Sequence, residues 1–382
     1  MPPKKKVNSE IGRTSIDIKV VLKLWAVSGG RCELCNRLLY SDLTFGADGN
    51  FGEMAHIHAV SAGGPRHKVG MTPEEKNNIE NLMLLCEEHH HMIDSNPDEY
   101  GDSFLVAQKR RHEQRIRSVT DIGDNQSCRM VSYFSNIDNQ EVFNSERLFK
   151  DAVLSAGLLP LQQPVIALNA DSHIKYEPSK ESIASKAYDL DIQFKSWFDT
   201  VIKSGDSIAA FALAPQPLLF KLGTLLNDQY NVKAFQCHRN GHKWAWKDDT
   251  SSVNFNFVQS KSGGTDGVAL VIDLSAQVLD DRIEAVIDDD CSIFHLTMAD
   301  PNRMFVTNER IQDDFVKAFR CAMEAIKNIR PAPKIINLFP VMPNSLVIRA
   351  GMDYMPKTDL PLKIFEQGKA EQGFFETITI GG

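Results

Sequence analysis

Eight residues in the first hundred positions have the types and spacing for metal and proton-transfer chemistry. Cys32-x2-Cys35 and Cys86-x2-His89 are two pairs of soft or borderline donors. Together they form the four-ligand set of a structural zinc, whose binding energy would be part of the folding energy of this region. A redox reading of the first pair lacks the surrounding βαβ pattern. Between the pairs stand His56, in the strand-like EMAHIHA, and Asn81, at the head of NLMLLC. His90 directly follows His89, and Asp94 lies four residues on, so His90 and Asp94 share a helix face. His89 sits about 100° around that helix. One helix can therefore hold zinc on one side and a catalytic divalent cation, Mg2+ or another, on the other. An unperturbed imidazole titrates near 6.5, which suits His56 to proton transfer near neutral pH.

The elements that must position these groups follow from patterning. SIDIKVVLKLWAVSGG has helical apolar spacing and a Gly-Gly stop. EMAHIHA reads as a strand leading into a Gly-rich loop, and CEEHHHMID as the start of a helix. SFLVAQKRRHEQRIR reads as a basic amphipathic helix, on which Lys109, Arg110, Arg111 and Arg115 are candidates for salt-sensitive phosphate contacts. His58 and His67 read as surface residues, and His91 is a weaker zinc candidate than His89.

Charge divides the chain. Up to residue 120 there are 16 Lys and Arg against 16 Asp and Glu, which leaves 26 against 34 afterwards, so the net charge of −8 sits in the rear. Seven of the 11 histidines lie in the neutral front. This asymmetry implies two jobs. MPPKKKV leads into no apolar run, so a frayed tail is expected rather than a secretory leader. No run is long enough to span a membrane, and a reducing cytoplasm is expected, in which close cysteine pairs mean metal or redox chemistry. The expected domains are 1–118, a linker with a helix at 119–164, and 165–382.

The rear alternates short apolar strands with helices, which argues for α/β, Rossmann-like layers. It also carries an internal echo: Phe211, Pro215, Leu218, Lys221 and Gly223 are repeated 128 residues later by Phe339, Pro343, Leu346, Arg349 and Gly351. KAFQ from Lys233 is echoed by KIFE from Lys363. An acidic α/β region suits a small ligand at the C-terminal ends of its strands better than a DNA backbone. In FQCHRNGHKWAWKDD, His238, Arg239, Lys243 and Trp244 put cations beside indoles, a set that can stack a base and neutralise a phosphate. Trp246 reads as a core residue.

The front pattern, C-x2-C, then A-H-I, a Gly-Gly loop, and N-L-x-L-L-C-x2-H-H, resembles an HNH nuclease with a ββα-metal core over roughly residues 25–97. The resemblance implies an α+β, zinc-stabilised endonuclease domain, with His56 as general base, Asn81 as the central Asn, His90 as the final His and Asp94 as a second metal position. In such chemistry His56 takes a proton from water, the cation polarises the scissile phosphate, and Asn81 braces the loop carrying the base. The family often has Asp or His where this chain has Ala55, so water or Glu53 is expected to complete the metal shell.

Residues 165–382 resemble, more loosely, a SAVED domain, a cyclic-oligonucleotide sensor made of two fused CARF-like halves. CHRNGHKWAW, VALVIDLSAQV and INLFPVMPNSLVIRAG carry the likeness. HNH followed by SAVED resembles the HNH–SAVED effectors of CBASS, the bacterial anti-phage signalling system. That implies a homo-oligomer, dimeric or higher on activation, that binds a cyclic di- or trinucleotide and then degrades double-stranded DNA. Ligand loops are expected near Pro215, Ser275 and Pro343. A modification-dependent restriction nuclease is the alternative, disfavoured by the acidic rear. A non-catalytic zinc-ribbon regulator would have no use for His56, Asn81 and His90 together.

Overall fold

The structure is a computed structural model of the 382-residue chain. It describes all residues except 1–15, 42–45, 124–125, 136–144, 162–163, 169–177, 202–206, 228–229, 239–242, 248, 289 and 369–372. The chain divides into two compact units, Met1–Ile122 and Gly123–Gly382.

The first unit opens with α1, Ile18–Val27, capped by the Asp17 carboxylate, which accepts from the Lys19 amide at 2.8 Å. Gly29 and Gly30, both left-handed (φ 62° and 64°), end it. Strand β1, Gly52–His56, pairs antiparallel with β2, Leu82–Cys86, with Glu53 opposite Leu85 and His56 opposite Leu82. Between them, a Thr72–Glu75 capping box starts α2, Pro73–Lys76, and a 3-10 turn covers Ile79–Asn81. Strand β2 runs straight into α3, Glu87–Ser95, and α4, Asp102–Thr120, follows. All five β2 side chains are buried, packed with Leu24, Ile93 and Leu105 into one core. That burial pins the β2–α3 junction, which carries Cys86, His89 and His90.

The second unit contains β3 (Ser127–Phe134), α5 (Glu146–Ser155), β4 (Leu159–Pro160), β5 (Ile166–Ala167), α6 (Lys180–Val201), β6 (Ser207–Leu213), α7 (Gln216–Leu226) and β7 (Asn231–Phe235). It continues with β8 (Asn256–Lys261), β9 (Gly264–Asp273), α8 (Asp280–Glu284), β10 (Cys291–Thr297), α9 (Glu309–Lys327), β11 (Ile336–Val341), α10 (Asn344–Asp353), β12 (Leu362–Gln367) and β13 (Phe374–Ile380). One sheet is ordered β4-β3-β6-β7, with β5 also on β3, and the other β13-β12-β11-β9-β10-β8. The parallel sets β4/β5-β3-β6-β7 and β10-β9-β11-β12 have the same order. The inner faces of both sheets share one core with α6, α7, α9 and α10, and each outer face has its own cluster.

The echoed residues occupy equivalent places in these two halves. Phe211 stacks on Phe235 at 4.8 Å, and Phe339 on Phe365 at 4.3 Å. Pro215 caps α7, and Pro343 caps α10. Lys221 pairs with Asp191 of α6 at 2.7 Å, and Arg349 with Asp313 of α9 at 2.8 Å. Gly223 and Gly351 meet where α7 crosses α10: a Cβ on Gly223 would lie 2.2 Å from the Ile348 carbonyl, and one on Gly351 2.2 Å from that of Phe220.

The segment expected as a linker, 119–164, behaves differently in the structure. Its residues 127–160 supply β3, α5 and β4 to the first sheet. Strand β3 reads SCRMVSYF and is buried from Cys128 to Phe134. A strand covered on both faces need not alternate, and its short polar residues made it read as a connector.

Candidate active site

The Cys32 knuckle is a tight turn. The Asn36 amide donates to the Cys32 carbonyl at 2.8 Å, with Asn36 itself left-handed (φ 63°), and the Glu33 amide donates to Leu84 of β2 at 2.9 Å. That last bond docks the knuckle beside the end of β2. One donor atom each from Cys32, Cys35, Cys86 and His89 lies within 4.8 Å of the other three, and Cys86 Sγ is 3.0 Å from His89 Nδ1. Donors bound to one zinc at about 2.0–2.3 Å in a tetrahedron stand roughly 3.4–3.8 Å apart, so the set fits the ion. Burial pushes the Cys32 and Cys86 thiols up, and a central cation is what favours their thiolates.

His56, the last residue of β1, has its Nε2 3.2 Å from Asn77 Oδ1. An amide oxygen there selects the Nε2–H tautomer and puts the basic lone pair on Nδ1. Asn81 is 5% exposed. Its Oδ1 accepts from the His58 amide at 2.9 Å, and its Nδ2 donates to the carbonyls of His58 and Lys76 at 3.0 and 2.8 Å. Asn81 thus clamps the backbone two residues past His56 and does not touch its ring among the bonds described.

His90 is held between two carboxylates. Glu53 Oε2 is 2.5 Å from Nδ1, and Asp94 Oδ2 is 3.4 Å from Nε2. With Nδ1–H donating to Glu53, the Nε2 lone pair faces Asp94. Adjacent donors of an octahedral cation bound at about 2.1 Å are about 3 Å apart, so His90 Nε2 and Asp94 Oδ2 suit one edge of such a shell. Glu53 lies on the opposite ring nitrogen and cannot join the same ion through His90. Glu53 thus stands where it can hold the histidine ring, and Ala55, the position where the family often has a donor, is fully buried in the core. The other Asp94 oxygen accepts from Arg66 Nη2 at 3.1 Å, while Arg66 Nε donates to Ile57 O at 2.8 Å, tying the end of β1 to α3.

On α4, Arg110, Arg111 and Arg115 are exposed, with Arg115 donating to Asn36 Oδ1. Lys109 is not a phosphate contact. It is 2% exposed and pairs with Glu113 and, at 3.9 Å, with Glu33. Burial pushes the Glu33 carboxyl up to about 7, although Lys109 opposes it. The helix turns this lysine inward.

In the second unit, the turns after β6 and β11 adjoin. Gln216 Nε2 donates to Met342 O at 3.1 Å, beside Pro215 and Pro343, and the Ser275 amide donates to Val341 O at 2.8 Å. The two halves also reach across to each other's helices. Glu366 accepts from the Gln216 amide of α7 at 2.8 Å, and Gln236 from the Ser345 amide of α10 at 3.2 Å. Gln236 and Glu366 end the echoed KAFQ and KIFE, the one sequence signal that pointed to them. Trp244 does not serve as a stacking platform: it is 2% exposed and packs edge-on against Phe149 and Phe211. Trp246 is half-buried and stacks on Phe235. His238 bridges to Lys243, and burial, then Lys247, pushes its imidazole down. Arg239 lies outside the described residues. Sequence reasoning passed over Asn77, Arg66 and Gln216, because an asparagine, an arginine or a glutamine in a loop has no spacing rule.

The sequence model of the family described as "SMODS-associated and fused to various effectors sensor domain" (SAVED) matches residues 190–380. No curated protein matches the chain. Among solved structures, it is similar to the Cap4 SAVED/CARF-domain containing receptor of Acinetobacter baumannii with the cyclic trinucleotide 2′3′3′-cAAA, at a TM-score of 0.45 and 11% identity over 77% of this chain and 60% of that one. The Moraxella osloensis Cap4 receptor gives a TM-score of 0.42 and 12% identity over 76% of this chain and 60% of that one. The chain thus spans 60% of the length of these receptors. Among the described residues, no helix is long and apolar enough to cross a membrane.

Proposed function

This chain belongs to the SAVED family of effector-fused sensor domains, and on that premise we propose that it is a cyclic-oligonucleotide-activated, metal-dependent HNH endonuclease that cuts double-stranded DNA in CBASS anti-phage defence. The observation that carries the nuclease half is the β1–β2–α3 arrangement, with four candidate zinc donors gathered at one end, His56 ending β1, Asn81 in the 3-10 turn just before β2 and His90 on α3. His56, with Nε2–H on Asn77, removes a proton from water. Asn81 fixes the backbone behind it. His90 and Asp94 hold a divalent cation, with Glu53 fixing the histidine tautomer. Such a cation, when bound, stabilises the charge developing on the phosphate. Arg110 and Arg111 are the α4 cations open to DNA backbone.

The sensor half rests on the paired turns at Pro215 and Pro343, where the strand ends of two equivalent halves adjoin. A nuclease that attacks cellular DNA has to be held off, and a ligand can release it only by binding the active state more tightly than the inactive one. The decisive assay is plasmid degradation with Mg2+ against a panel of cyclic di- and trinucleotides. Cutting should require one of them and vanish in His56→Ala with zinc content retained. Equal cutting without nucleotide refutes the sensor role, and cutting by His56→Ala refutes the base.

A further inference from the structure

One buried cation reaches both sides of the proposed centre. Arg66 lies in the Gly-rich loop between β1 and α2, and its side chain is 6% exposed. Its backbone is left-handed (φ 51°), a region that glycine adopts freely and arginine rarely. A buried guanidinium is costly unless its charge and donors are met, and here they are met on two separate segments. Nε donates to the carbonyl of Ile57, the residue after His56, at 2.8 Å. Nη1 donates to Ile93 O at 2.5 Å, and Nη2 to Asp94 Oδ1 at 3.1 Å. The Arg66 carbonyl stands 3.0 Å from His58 Nδ1, which therefore carries the proton.

Each acceptor belongs to the site. Ile57 continues the strand that ends in His56. Ile93 is in the last turn of α3, where carbonyls have no partner within the helix and the dipole favours a cation. Asp94 is 42% exposed, and an exposed carboxylate turns freely unless a partner fixes it. Arg66 occupies Oδ1, which leaves Oδ2 facing His90 Nε2 at 3.4 Å. The guanidinium is planar and rigid, so a single group sets how far the end of β1 stands from the His90–Asp94 edge.

Resting on the reading of His56 as base and of His90 with Asp94 as cation ligands, we propose that Arg66 is a positioning residue of this centre. It turns Asp94 Oδ2 toward His90 and locks that edge at a fixed separation from the backbone carrying the base. Its burial keeps it from contacting DNA itself.

Calorimetric Mn2+ titration of the zinc-loaded full chain, without DNA, tests the proposal. Arg66→Lys keeps the charge and loses the fork, so it should retain zinc and bind Mn2+ about tenfold more weakly. Asp94→Asn should weaken Mn2+ by about tenfold or more, and adding Arg66→Lys to it should cost little further, because the arginine acts through that carboxylate. The salt dependence of DNA binding without divalent cation should match the parent's in Arg66→Lys. Mn2+ affinity unchanged in Arg66→Lys, or effects of the two substitutions that simply add, overturns the proposal, and a lower salt slope makes Arg66 a phosphate contact instead. Unchanged Mn2+ affinity in Asp94→Asn removes the cation reading of the site, and this proposal with it. Should Arg66→Lys fail to fold, guanidinium 15N NMR of the parent decides. Mg2+ should shift the Arg66 Nη resonances saturably in the parent and leave them in place in Asp94→Asn; no shift in the parent refutes the link.

Discussion

Gly223→Ala tests whether two equivalent halves are joined through their glycines. The new methyl would sit 2.2 Å from the Ile348 carbonyl oxygen and 2.8 Å from the Gly351 Cα. Carbon and oxygen atoms approach no closer than about 3.3 Å even in weak C–H···O contacts, so the helices must part by about 1 Å. The carbonyl belongs to the interior of α10 and cannot rotate aside. Overpacking of this kind costs roughly 1–3 kcal/mol, and helix propensity returns about 1 kcal/mol when alanine replaces glycine. Extra loss comes from the packed side chains beside the crossing, Leu222, Leu346 and Val347, all essentially buried. The net expectation is a loss of about 1–2 kcal/mol, or a melting point lower by roughly 2–8 °C for a unit of this size. Gly351→Ala should behave alike, and the double variant should cost less than the two together, since one separation of the helices accommodates both methyls. Differential scanning calorimetry with urea denaturation reads the effect. Unchanged or raised stability in either single variant would show that α7 and α10 do not cross at this pair.

Other consequences are equally direct. Cys86→Ser should abolish zinc binding, read by elemental analysis against about one ion per chain expected in the parent, and unfold the first unit, because a bound ion would close the knuckle onto β2; retained zinc would exclude Cys86 as a ligand. Glu53→Gln should weaken Mn2+ binding about 10–100-fold while leaving zinc in place, and an unchanged affinity would remove Glu53 from the proposed site. Arg110→Ala and Arg111→Ala should each lower the salt dependence of DNA binding by about one counterion, whereas Lys109→Met should act on stability and leave that slope alone. His295, 7% exposed between Asp273 at 3.3 Å and Asp280 at 2.9 Å, should give a pH-dependent stability. Burial alone pushes its imidazole down, but the hydrogen bonds and charges of both carboxylates outweigh that and hold it above its ordinary value. Its contribution is therefore complete below the ordinary histidine value and is lost as pH rises through the raised one. Urea midpoints across that range should fall in the parent chain and stay flatter in His295→Gln.

The sequence by itself singled out what is local. C-x2-C and C-x2-H spacings mark a knuckle and a helix start without knowledge of the fold, because each pair closes within one turn. The separation of His90 from Asp94 places them on one helix face for the same reason. The five-position echo announced two like halves, since a repeated strand–loop–helix unit leaves its turn proline and close-approach glycine in the same places. Tertiary structure alone decided the rest. Whether Glu53 binds a cation or steers His90 depends on which ring nitrogen it meets across the β1–α3 contact. Which of Trp244 and Trp246 is sealed in the core depends on the position of Phe149, nearly a hundred residues away. Strand β3 was unreadable as a strand because burial on both faces removes the alternation that sequence patterning relies on. Lys109 faces inward because Glu33 waits there to receive it, and nothing in a basic run says which cation has such a partner. Contacts between distant segments are set by packing in three dimensions, and the order of residues along the chain carries no direct record of them.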